Sequence, residues 1–129
     1  MRIGMSTPPT TVLDRYVGLA DRVILDPSIL ETELANIFAP NASVDLHGAP
    51  VVGRAAIVDF YRRFVGAFSE VKHVWRTTVN PDGTLRAAWA ASFHTIDGRV
   101  SAVAGVETAE VNADGLITSL VNEFTIPPA

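Results

Sequence analysis

Few side chains in this sequence could move a proton, and they lie far apart. Glu107 is the one acid in the alternating row Ser101, Val103, Gly105, Glu107, Ala109. If that row faces inward, burial disfavours the charged carboxylate and leaves an acid that can give or take a proton near neutrality. The opposite row, Val100, Ala102, Ala104, Val106, Thr108, carries no charge, so alternation alone does not orient the strand. Imidazole, which titrates near 6.5 when unperturbed, occurs at His47, His73 and His94. His73 sits in the run Val71-Lys72-His73-Val74-Trp75, His47 stands beside a turn, and His94 shares the presumed outer face with Arg86 and Ser92, which leaves it outside a site. Tyr16 falls on the apolar stripe of a helix, where its hydroxyl either packs against a partner or serves a site. On a later strand, either Asn122 (with Leu120 and Phe124) or Glu123 faces inward, again by parity.

Other chemistries have no residues to carry them. The sequence has no cysteine, which removes thiol catalysis, thiolate metal sites and disulfides and fits a reducing compartment. It contains no phosphate-binding loop, dinucleotide fingerprint or nucleophile elbow, and its three histidines have no compact metal-ligand spacing, so neither cofactor nor metal is expected. A formal charge of −4 argues against nucleic acid and anionic membranes as partners. With no long apolar run or signal-peptide core, the expected location is cytoplasmic. At 129 residues, 48% of them apolar, the chain is long enough for one domain with its own core; residues 1–9 are expected to be a flexible tail and 10–126 the domain.

Hydrophobic spacing then places the candidates on elements. Val12, Tyr16, Leu19, Ala20, Val23 and Ile24 predict one helix over 10–25. Ser28 and Glu31 suggest a capping box opening a second helix, which Pro40 ends. A short hairpin follows, with one strand at 42–47 and its return at 51–53. Ile57, Phe60, Tyr61, Phe64 and Phe68 then predict a third helix from Arg54. From there the period changes to two, giving strands at 71–79, 84–96, 100–111 and 116–126 separated by glycine-containing turns. Helices first and an antiparallel meander afterwards is an α+β order. In the second long strand the face Leu85, Ala87, Trp89, Ala91, Phe93 is the inner one.

This order resembles the nuclear-transport-factor-two-like (SnoaL-like) superfamily, whose fold is a cone-shaped α+β barrel: a strongly bent antiparallel sheet wrapped around three N-terminal helices. Within it the sequence is most similar to the bacterial ketosteroid isomerases, on Asp14-Arg15-Tyr16-Val17, Phe38-Ala39, Ala42-Ser43-Val44, Gly53, Ala55-Ala56-Ile57 with Phe60-Tyr61, Ser92-Phe93, and Gly98-Arg99 through Asn112. The resemblance implies an oxyanion hole made by Tyr16 and a protonated Glu107. It also implies that the proton-shuttling acid position holds Leu46, which cannot transfer a proton. His73 is then the first candidate base, by similarity to a strand histidine of scytalone-dehydratase-like and polyketide-cyclase-like relatives. Asp45 is second, and His47 third. Trp75, Trp89, Phe93, Val103, Leu46, Leu120, Asn122, Phe124 and Phe60 are the expected substrate-lining residues, the aromatics among them being equally at home in a core.

The implied function is an isomerase or lyase acting on a small hydrophobic carbonyl compound of steroid, terpenoid or polyketide type by proton transfer with enolate stabilisation. The alternatives are a SnoaL-like cyclase or dehydratase, and a non-catalytic domain that binds a hydrophobic ligand or dimerises. A homodimer through the outer sheet face is expected, where Ala88, Ala90, Ala102 and Ala104 allow close approach.

Overall fold

The computed structural model describes residues 10–128; the expected tail at 1–9 lies outside the described residues. Thr11 opens the first helix, α1 (Val12–Val17), with a reciprocal capping box: its hydroxyl accepts from the Asp14 amide, and the Asp14 carboxylate accepts from the Thr11 amide. The single helix predicted over 10–25 is in fact two, because the chain breaks at Gly18 before α2 (Leu19–Leu25). The indole of Trp75 reaches to 3.1 Å from where a Gly18 Cβ would sit, so a side chain there would push the ring away.

The predicted Ser28–Glu31 capping box does not form. Asp26 takes that part, accepting from the Ser28 amide at 3.3 Å to start a 3-10 turn (Pro27–Ile29), which runs into α3 (Leu30–Ile37). This helix stops before Pro40, and Phe38 already begins β1 (Phe38–Asp45), which pairs with the short β2 (Val51–Val52) as the predicted hairpin. After α4 (Arg54–Val65) come β3 (Phe68–Val79), β4 (Leu85–Thr95), β5 (Val100–Val111) and β6 (Ile117–Ile126). Gly83, Gly98 and Gly115, at φ of +88°, +92° and +80°, occupy the three intervening turns in a conformation that side chains resist.

The six strands form one sheet in the order β2-β1-β6-β5-β4-β3. The meander is antiparallel as expected, but β1 lies parallel to β6, a pairing the local hairpin signals cannot reveal. Among the described residues, four α-helices rather than three pack on one side, giving a cone-shaped α+β fold whose core includes Leu13, Leu34, Ile37, Phe38, Val44, Ile57, Ile117 and Leu120. Removing these side chains from water supplies about 1.5–3 kcal/mol each, which is what holds helices of six to twelve residues that would not persist alone.

Register settles the orientations that alternation left open. Cross-strand partners share a face, and on the helix-facing side one row runs Thr77, Ala87, Glu107, Asn122, with the next row Trp75, Trp89, Gly105, Phe124. Glu107 and Asn122 are therefore the inward residues, 5% and 7% exposed, and Glu123 points out.

Candidate active site

The α1 helix carries Tyr16 toward the sheet, where its hydroxyl shares a short hydrogen bond with that of Tyr61 on α4. The Tyr16 ring meets those of Phe38 and Tyr61 edge-on, at 5.6 and 5.9 Å, so packing fixes the phenol. Burial pushes the Tyr16 hydroxyl well above the usual tyrosine range. Tyr61 and the nearby Glu107 add to this, since a second negative charge beside either would be repelled. Tyr61 is raised too, by burial first. Both phenols are thus held neutral, able to donate hydrogen bonds.

Glu107 completes the cluster. Desolvation alone pushes its carboxyl from 4.5 up to about 8, so near neutrality it is mostly the protonated acid. It makes no hydrogen bond to another side chain or backbone group among the described residues, in contrast to its row neighbours Thr77 and Asn122. A neutral carboxylic acid in that state has an O–H to offer.

The adjoining row builds a polar-anchored aromatic floor. The Trp89 indole donates to Asn122 Oδ1 at 2.9 Å, and the Asn122 amide donates to the Leu46 carbonyl at 3.3 Å. The indole crosses to β6 over Gly105, whose missing side chain leaves the gap. Rings continue outward on both sides, with His73 at 5.9 Å from Trp89, Phe124 at 6.1 Å from Trp89 and His47 at 5.6 Å from Phe124. A second group of rings, Phe60, Phe64, Phe68 and Phe93, lies along α4, the start of β3 and the end of β4 at centroid spacings of 5.0 to 5.9 Å.

Two carboxylates tie the first helices to β3. Asp21 accepts from the His73 amide at 3.0 Å and meets its Nδ1 at 2.7 Å, which holds the imidazole in one orientation with Nε2 directed elsewhere. Asp14 accepts from Trp75 Nε1 at 2.8 Å and Thr77 Oγ1 at 2.6 Å. Burial works to raise the Asp14 pKa, but the donors Thr77, Thr11 and Trp75 outweigh it and hold the carboxyl below its ordinary value.

The structure brings Tyr16 and Glu107 together and sets Trp89, Asn122 and Phe124 in the row beside them. It does not bring Asp45 in: that carboxylate accepts from the Gly48 amide at 2.6 Å and closes the β1–β2 turn. His47 is exposed beside the same turn. Trp75 is drawn away from the aromatic floor by its bond to Asp14 and covers Gly18 instead. Leu120 has no exposed surface and belongs to the core, and Val103 is also buried. Leu46 packs on the core and, with Phe60, borders a cleft of about 150 Å³ closed by Val44, His47, Ala49 and Val51.

Three participants escaped sequence reasoning. Tyr61 reads as one more apolar position of its helix, and its partner is 45 residues away. Asp14 and Asp21 look like solvated helix residues, although two acids seven apart on an amphipathic stretch do lie near one line of the helix.

The decisive comparison is with protein families: the description SnoaL-like domain matches residues 31–120. The chain belongs to the SnoaL-like family. No curated protein matches it. Among solved structures, this SnoaL-like chain is similar to an NTF2-like protein of unknown function from Exiguobacterium sp. 255-15, at 29% identity over 88% of this chain and 98% of that one, TM-score 0.79. A protein from Jannaschia sp. CCS1, named provisionally as a SnoaL-like polyketide cyclase, shares the fold at 15% identity, 95% and 92% coverage and TM-score 0.71. So does RV0760c from Mycobacterium tuberculosis, solved in complex with estradiol-17β-hemisuccinate, at 17% identity, 88% and 93% coverage and TM-score 0.69.

Proposed function

We propose that this SnoaL-like protein is an enzyme of ketosteroid-isomerase-like or cyclase-like type that transfers a proton on a small hydrophobic carbonyl compound. The observation that carries this reading is Glu107: a buried acid, neutral near pH 7, without a hydrogen-bond partner for its carboxyl among the described residues, beside a tyrosine hydroxyl that a second tyrosine supports. Two neutral donors converging on one carbonyl oxygen would stabilise the enolate as charge develops there. An aromatic floor at Trp89 and Phe124 suits a flat apolar substrate, and the steroid carried by RV0760c is a ligand of that chemistry.

Leu46 stands where the isomerase resemblance expects the proton-shuttling acid, so the base must come from elsewhere. His73 is our candidate, with Asp21 as its positioning residue: the carboxylate meets Nδ1 at 2.7 Å and fixes the ring, which leaves Nε2 as the nitrogen to take the proton. Asp21→Asn is expected to lower kcat about tenfold or more with KM little changed, because the imidazole loses its fixed orientation. An unchanged kcat would remove His73 from the mechanism.

The oxyanion hole itself is tested with a naphthol as enolate mimic, its ionisation followed by absorbance across pH. The wild type is expected to favour the bound naphtholate, and Tyr16→Phe to abolish that preference; binding indifferent to Tyr16 would leave the fold as the extent of the isomerase likeness. A non-catalytic ligand-binding domain is the second reading, favoured by the commitment of Asp45 to its turn.

We also propose a homodimer through the outer sheet face. There a row of Val74, Ala90, Ala104 and Ile126 crosses four strands, with Val74 70% and Ile126 58% exposed. Sedimentation at micromolar concentration should give twice the chain mass; a monomer alone would refute it.

A further inference from the structure

We propose that a second cavity, at the C-terminal end of α4, binds small apolar carboxylates. It measures about 380 Å³, within the range of small-molecule sites, and none of Tyr16, Tyr61 and Glu107 borders it. Its floor is apolar: Val23, Leu30 and Val65 are 2%, 4% and 8% exposed. Ile24, Pro27 and Phe68 form the sides. Phe68 also meets Phe93 edge-on at 5.0 Å, which makes this ring a wall between the cavity and the aromatic residues of β4.

Among the described residues, the lining holds a single ionic side chain, Arg62. Its carboxylate partner, Glu31, is 3.7 Å away, and both side chains are well exposed, at 60% and 77%. A pair of that kind contributes only about 0–1 kcal/mol, so a ligand carboxylate delivered by an apolar tail can displace it. Ser69 supplies a second donor on the same rim. It sits in the bulge between the Phe68–Thr95 and Glu70–His94 pairs, where the ladder gives it no partner, and its hydroxyl makes a long bond, 3.4 Å, to the His94 carbonyl. One cation and one hydroxyl above an apolar, acid-free lining select an amphiphile with a single negative head.

The test compares octanoate with octanol, each titrated into the whole protein while backbone amides are followed by NMR. Octanoate should shift Val65, Gly66 and Ser69 and bind at least fivefold more tightly than octanol. Arg62→Gln, a surface change that leaves the core intact, should weaken octanoate about tenfold and erase the preference, as expected for loss of one charge-assisted hydrogen bond. Tyr16→Phe should leave octanoate binding unchanged. The proposal is overturned by equal affinity for acid and alcohol, by undiminished binding in Arg62→Gln, by loss of binding in Tyr16→Phe, or by no binding of octanoate.

Discussion

Glu107→Gln should make the protein more stable in alkali and less active. In the unfolded chain this carboxyl ionises near 4.5, whereas in the folded protein it holds its proton up to about 8. Between those values the folded state binds more protons than the unfolded one, so each rise in pH lowers the free energy of unfolding; below 4.5 the group has no effect, and above 8 the loss is complete. Glutamine has no proton to lose. The variant should match the wild type in acid, lack the decline across that window, and exceed wild-type stability at pH 9 by on the order of 3 kcal/mol, a figure below the full linkage because water reaches buried carboxylates in part. Urea unfolding at pH 4, 6.5 and 9 measures this. Activity should move the opposite way, falling at least about tenfold, since an amide is a weaker donor than a carboxylic acid toward a developing oxyanion. Parallel pH-stability curves for the two proteins would mean that Glu107 is solvated and ionised, and the oxyanion-hole reading would go with it.

The second large effect is expected from the smallest substitution. A methyl group at Gly105 would lie 2.7 Å from the Glu123 carbonyl oxygen, 2.9 Å from Asn122 Oδ1 and 3.1 Å from the Trp89 ring. The first of these is backbone, held in the β5–β6 ladder by the Gly105–Phe124 and Val106–Glu123 pairs, so it cannot step aside cheaply. Gly105→Ala should destabilise the protein by about 2–3 kcal/mol, lower its melting temperature by roughly 5–10 °C, and displace the indole from Asn122, with a shift in tryptophan emission. Because Asn122 also donates to the Leu46 carbonyl, the floor should loosen as far as β1. A melting temperature like that of the wild type would show that Trp89 does not cross over Gly105. Both substitutions act in adjacent cross-strand rows, yet one relieves an electrostatic cost of folding and the other breaks a packing contact.

Local periodicity carried the sequence reading a long way. The change from a 3.6 to a two-residue period after α4 marks the passage from helices to meander, and the three glycine turns place the strand ends to within a few residues. These are properties of the backbone and its nearest neighbours, so they survive without a partner. The alternation Leu85, Ala87, Trp89, Ala91, Phe93 oriented β4 because its opposite face carries Arg86 and His94. On β5 the two faces are almost equally apolar, and nothing local separates them.

The tertiary structure decided what the local signal could not. Pairing of Glu107 with Ala87 and Asn122, in a register that extends the already oriented face of β4, turned that acid inward. The close packing over Gly18 comes from Trp75, which arrives from a strand more than 50 residues later. The Tyr16–Tyr61 and Asp21–His73 contacts join residues 45 and 52 positions apart. The sequence by itself determined most of the elements and the inner face of β4, because each is written in spacing or in residue type, while Tyr16 and Glu107 it offered as candidates. Which groups meet, which are desolvated and which are spent on turns depended on contacts between distant segments, and it is desolvation and hydrogen bonding across those contacts that convert a glutamate and a tyrosine into a candidate site.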